Sequence, residues 1–110
     1  RRIPLGAALE LLLTGEPITA RRAHELGIVQ RLTPEGGALE EALRLAAAIA
    51  AGGPLAVAVT KQIARSAGDW TVEEGWRRQA ELIAPVFASE DAREGAAAFA
   101  EKRAPVWKGR

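Results

Sequence analysis

Near the end of the chain an aromatic and a lysine stand three residues apart, Phe99 and Lys102, followed by an aromatic-basic pair, Trp107 and Lys108. A ring face beside an ammonium group suits a nucleotide, the ring covering the adenine while the lysine meets phosphate. The plainer reading puts Phe99 in the core and makes Lys102 a cationic partner for the negative end of a helix dipole. Spacing alone favours the plainer reading. The remaining candidates for chemistry are weaker. His24 is the only histidine and there is no cysteine, so His24 reads as a surface-helix residue and not as a metal ligand or a triad base.

The acids Glu40, Glu41, Glu73, Glu74, Glu90, Asp91 and Glu94 fall in first turns or on outer helix faces. Paired carboxylates for acid–base work need an apolar cleft, which that placement does not provide. Arg44 is within helical reach of Glu40 and Glu41, and Arg93 of Glu90, whereas Lys102 lies too far along to meet Glu94. Gly52-Gly53-Pro54 could offer backbone N–H groups to a phosphate, but Pro54 removes one donor and the triplet reads as a helix–helix turn. Thr19 to Val29 imitates the first half of a helix-turn-helix. The helix that should follow would cross Thr33-Pro34-Glu35-Gly36-Gly37, which cannot hold a regular helix.

The elements that must position these residues are helices. Leu5, Leu9, Leu12 and Leu13 recur at helical spacing after Pro4 and stop at Thr14-Gly15. Thr19 caps a short helix over 20–26, ended by Gly27, and 28–32 reads as a short extended piece. A longer helix over 38–51 turns Leu39, Leu43, Ala46, Ile49 and Ala50 inward. The next starts at Pro54, although the β-branched run 57–60 could also form a strand. Thr71-x-x-Glu74 is a capping box before a helix in which Pro85 predicts a kink or an early end. Ser89 caps the last helix, with Glu90 and Asp91 in its first turn and Lys102 and Arg103 at its far end. The expected fold class is all-α: five to six short helices with at most one minor strand.

With 110 residues and 48% hydrophobic content, the chain reads as one domain, but its interior must rely on alanine and aliphatic side chains with only three Trp and two Phe. Such helices bury little area each and call for a partner surface. A net charge of +1 gives no electrostatic footprint for nucleic acid or an anionic membrane. There is no apolar run of 18 residues and no disulfide framework, so the expectation is a cytoplasmic protein without a membrane or nucleic-acid partner. The chain contains no Met and begins Arg1-Arg2-Ile3-Pro4, which predicts that Arg1 is an internal residue of a longer protein.

Several short motifs together resemble one family. They are Ala8-x-x-Leu11-x-Leu13-Thr14-Gly15-Glu16-Pro17-Ile18-Thr19-Ala20, then Ala23-x-x-Leu26-Gly27-Ile28-Val29, then Ser89-Glu90-Asp91-Ala92-Arg93-Glu94-Gly95, Phe99-x-Glu101-Lys102-Arg103 and Pro105-Val106-Trp107-Lys108-Gly109. In order and spacing they are similar to the carboxyl-terminal portion of the enoyl-CoA hydratase/isomerase (crotonase) family. The resemblance implies that residues 1–110 are the C-terminal helical and oligomerisation domain of a crotonase-like α/β enzyme. It also implies a missing N-terminal spiral domain that carries the backbone oxyanion hole and the catalytic acids, so that no catalytic residue lies in this chain and the chain alone lacks activity. Hydration of a trans-2-enoyl-CoA in fatty acid metabolism is the implied reaction, with the CoA thioester as substrate and no further cofactor or metal. The implied partners are acyl-CoA, the N-terminal catalytic domain and further copies in a trimer or hexamer. Phe99 and Lys102 match the family's aromatic and lysine that approach the CoA moiety. The rival expectation is a stand-alone helical oligomerisation module without a ligand.

Overall fold

The computed structural model describes residues 3–110. Among them are six α-helices, α1 (Leu5–Thr14), α2 (Ala20–Glu25), α3 (Ala38–Ala50), α4 (Pro54–Ser66), α5 (Val72–Ala88) and α6 (Glu90–Glu101), with a single 3-10 turn at Ala67–Asp69 and no strand. The chain divides into two compact units, one ending at Arg44 and the other running from Leu45 to Arg110.

In the first unit, local chemistry sets the helix ends. Gly15 takes φ +66° and donates its N–H to the Leu11 carbonyl at 3.1 Å, closing α1 in a geometry that glycine enters without a Cβ penalty. Thr19 caps α2 by accepting the Arg22 N–H at 3.1 Å. The extended piece expected over 28–32 is not a strand. The N–H groups of Ile28 and Val29 both turn back to the Ala23 carbonyl, at 2.8 and 3.4 Å, so the first two residues close the end of α2. Beyond it, Arg31 and Arg44 both grip Glu41, while Glu40 takes no part in that cluster.

In the second unit α4 packs on α5, and α5 on α6. Pro54 sits at the first helical position of α4, and the β-branched run 57–60 is helical, because apolar residues at 55, 59 and 63 share one face. Thr71 and Glu74 form a full capping box: Thr71 Oγ1 accepts the Glu74 N–H at 3.2 Å and Glu74 Oε2 accepts the Thr71 N–H at 3.1 Å. Arg78 lies over the Trp70 ring, 5.5 Å from its centroid. The early end expected at Pro85 does not occur, and α5 continues to Ala88. Pro85 and Glu81 are both exposed, so solvent can satisfy the Glu81 carbonyl that the proline leaves without a donor.

The faces expected to be inward remain largely uncovered. Ala98, 2% exposed, is the one hydrophobic residue fully buried among the described residues. Leu39, Leu43 and Ile49 on α3 are exposed, as are Trp76 and Phe87 on α5. Thr71→Ala removes one half of the capping box and should destabilise the second unit by about 1 kcal/mol, read as a lower denaturation midpoint with an unchanged slope.

Candidate functional site

Phe99 and Lys102 stand at the free end of α6. Phe99 is 88% exposed, which overturns its assignment to the core. Lys102 directly follows the last residue of α6, Glu101, at the carboxyl end of the helix. It adopts φ 54°, ψ 37°, and is the only non-glycine with positive φ among the described residues. Its N–H donates to the Phe99 carbonyl at 3.3 Å, and the N–H of Arg103 donates to the Ala98 carbonyl at 3.0 Å. These two bonds define a Schellman cap, whose left-handed position ordinarily belongs to glycine. A Cβ in that conformation costs on the order of 1 kcal/mol. Among the described residues no carboxylate pairs with the Lys102 ammonium, so an exposed ring and an uncommitted cation share one helix end.

The other two members of the expected cluster are turned elsewhere. The Trp107 indole N–H donates to the Ala51 carbonyl at 2.8 Å, and its ring lies against the backbone at Gly53 and Gly95. A Cβ on Gly95 would stand 3.1 Å from the ring, so the bare patch on α6 accommodates the chain's own tail. Asp91, 5% exposed, receives the N–H groups of Lys108 at 2.7 Å and Gly109 at 2.9 Å, one on each carboxylate oxygen. The Asp91 N–H in turn donates to the Arg110 carbonyl at 3.0 Å. Lys108 and Arg110 reach Glu90, at 3.3 and 3.4 Å, which therefore does not pair with Arg93.

Glu94 completes this arrangement. Both its oxygens take the Arg103 guanidinium, at 2.6 and 3.1 Å, and one also accepts the Val106 N–H at 2.8 Å. Arg103 and then the Val106 N–H hold the Glu94 carboxyl down at about 2. Arg44, followed by Arg31, lowers Glu41 to about 2, the Thr71 N–H lowers Glu74, and Lys108 lowers Glu90. A general acid needs a pKa near the working pH, and these four are pushed the opposite way. They serve as anchored acceptors. His24 is exposed on α2, and no group of three or more His, Cys, Asp or Glu among the described residues could hold a metal.

Asp91 was legible in the sequence only as a first-turn acid, and neither its bonds to the tail nor the docking of Trp107 was expected. The available signal was the spacing of Asp91 and Gly95, one turn apart on α6, ahead of a tail rich in N–H donors. Beside the docked indole runs an open groove of about 560 Å³ lined by Leu55, Ala56, Val86, Phe87, Ala96 and Trp107, with Arg93 among its polar residues.

The family model for enoyl-CoA hydratase/isomerase matches residues 1–110. An enoyl-CoA hydratase of Mycobacterium tuberculosis, EchA19, is 44% identical over 110 residues, covering all of this chain and 41% of that protein. A carnitinyl-CoA dehydratase of Salmonella typhi is 43% identical over 112 residues, covering 98% of this chain and 43% of its own. Among solved structures, a probable enoyl-CoA hydratase/isomerase from Mycobacterium abscessus superposes with a TM-score of 0.93 at 55% identity, and an enoyl-CoA hydratase from Mycobacterium tuberculosis H37Rv with 0.95 at 49%. Each alignment covers 99% of this chain and 43% of the neighbour, so the chain spans less than half the length of the relatives it matches.

Two outcomes follow for the tail. Asp91→Ala leaves the N–H groups of Lys108 and Gly109 without their acceptor and should cost about 1–3 kcal/mol, with faster hydrogen exchange at both amides. Glu94 has a folded pKa of about 2, below the ordinary carboxylate value of about 4.3. Its contribution is therefore fully present above the unfolded value and is lost as pH falls through the folded one. Arg103→Gln should move the Glu94 titration, followed by carboxyl-carbon NMR, back up toward the ordinary value. A midpoint that stays near 2 would show that Arg103 is not the cause.

Proposed function

Because the chain belongs to the enoyl-CoA hydratase/isomerase family, and its all-α architecture is that of the helical carboxyl-terminal domain of the crotonase fold, we propose that it completes an enzyme acting on acyl-CoA thioesters. The proposed reaction is hydration of a trans-2-enoyl-CoA through an oxyanion-stabilised enolate. In this reading its backbone N–H donors and acids belong to an N-terminal catalytic domain, where preorganised donors at the reacting carbonyl supply most of such catalysis. A hydratase and a dehydratase of CoA thioesters, the activities named for the two relatives, are one bond change run in opposite directions.

The observation that carries a binding role is the end of α6. An exposed ring in the last turn and, three residues on, an ammonium without a carboxylate partner occupy a helix end where a glycine would form the cap with less strain. In this reading Phe99 covers the adenine of CoA and Lys102 meets its phosphates. The uncovered apolar faces of α3 and α5 support contacts with the catalytic domain and with further copies in a trimer or hexamer. No cofactor is invoked besides the CoA thioester, and the enzyme is placed in the cytoplasm within fatty acid metabolism.

In the full-length enzyme, Phe99→Ala with Lys102→Ala should raise KM for crotonyl-CoA by about tenfold or more and leave kcat within about twofold. That is the pattern for lost contacts made equally in ground and transition states. An unchanged KM would instead favour a helical assembly module in which α6 only packs.

A further inference from the structure

Lys102 is held in an unfavourable conformation, and the residue after it is the most heavily anchored cation in the tail. The Arg103 guanidinium binds both oxygens of Glu94 and, at 2.6 Å, the carboxylate of Glu101, while the Arg103 N–H closes the Schellman cap on Ala98. Glu94 also takes the Val106 N–H, so one carboxylate fixes the chain on the far side of the turn. A lysine at a helix end without such support would return to negative φ and spread its ammonium over many positions.

We propose that the Glu94–Arg103 pair is a positioning device that keeps Lys102 in the left-handed turn and so aims its ammonium, beside Phe99, at the phosphate-bearing part of the CoA ligand. The proposal rests on the ligand role assigned above to Phe99 and Lys102. Glu94 and Arg103 touch no ligand in this scheme and act only through the backbone they anchor. An isolated surface ion pair contributes little, but this one is two-pronged and shares its acceptor with a backbone donor. The depressed Glu94 carboxyl is in keeping with a carboxylate engaged on several sides.

The test is a double-mutant cycle read by calorimetric titration of CoA into the full-length enzyme. Glu94→Gln should weaken CoA binding by roughly three- to tenfold, the coupling expected within one network. Lys102→Ala should weaken it by at least as much, and adding Glu94→Gln to Lys102→Ala should then change affinity by less than about twofold. A purely structural Glu94 would lower the melting temperature and leave the affinity of the folded protein untouched, which overturns the proposal. So would losses that add independently in the double variant. If Lys102→Ala itself leaves CoA affinity unchanged, the ligand role fails and the positioning role with it, a result distinct from failure of Glu94→Gln alone. Should Glu94→Gln not fold, Arg103→Lys keeps the charge but loses the fork, and must show the same dependence on Lys102.

Discussion

A buried carboxylate, Asp91, accepts one backbone N–H on each oxygen, from Lys108 and Gly109, while its own N–H donates to the Arg110 carbonyl. Removing a charge from water is costly unless hydrogen bonds replace the lost solvent, and here two donors and the amino end of α6 do so. The consequence is geometric. With 108–110 fixed at the start of α6, the preceding residues must run back along the helix, which brings Trp107 over Gly53 and Gly95 and Val106 to Glu94. The start of α6 and the end of the chain are thereby tied together through Asp91, and the turn before α4 joins them through the Trp107 indole.

This arrangement accounts for a domain whose polar chemistry is settled internally while much of its apolar surface is not. The cap at Ser89 shows how closely the local bonding is arranged: its N–H and Oγ both turn to the Val86 carbonyl, at 3.2 and 2.6 Å, and its Oγ accepts from Ala92. Meanwhile Leu39, Trp76 and Phe87 present ring and aliphatic faces to solvent. Rims and termini can be satisfied by short-range bonds within the chain. Broad apolar faces need area from elsewhere, as Ala-rich helices of this length supply too little of it to one another.

The parts of the fold legible in the sequence were those decided within about four residues. Thr19, Thr71 and Ser89 mark helix starts because the capping oxygen and the N–H it accepts lie in the same turn, and Pro54 does so because its fixed φ suits the first helical position. The segment 28–32 forms no strand, and its first two N–H groups go to the Ala23 carbonyl left open at the end of α2 and not to a neighbouring strand. At Pro85 the sequence allowed a kink or an early end, and the early end does not occur because the exposed Glu81 carbonyl can be met by solvent, which the local sequence does not reveal. Phe99 was legible as a candidate by type, but its uncovered setting was not, since periodicity marks an apolar face without saying what covers it. Asp91 was hidden for a related reason: its partners lie 17 and 18 residues away, and a first-turn acid already has a local explanation in the helix dipole.

Lys102 joins these strands. A glycine there would relieve the left-handed strain and form the same two cap bonds, so stability at that position runs against the residue that is present. A strained residue persists where the surroundings over-determine it, and the surroundings here are Arg103, Glu94 and the tail that Asp91 ties down. On the proposed reading, the latch at the start of α6 and the cation at its end are two parts of one arrangement. The first fixes the path of the chain and the second uses it, so loosening the tail should reach the ligand through the position of Lys102 with no substitution at Phe99 or Lys102 themselves.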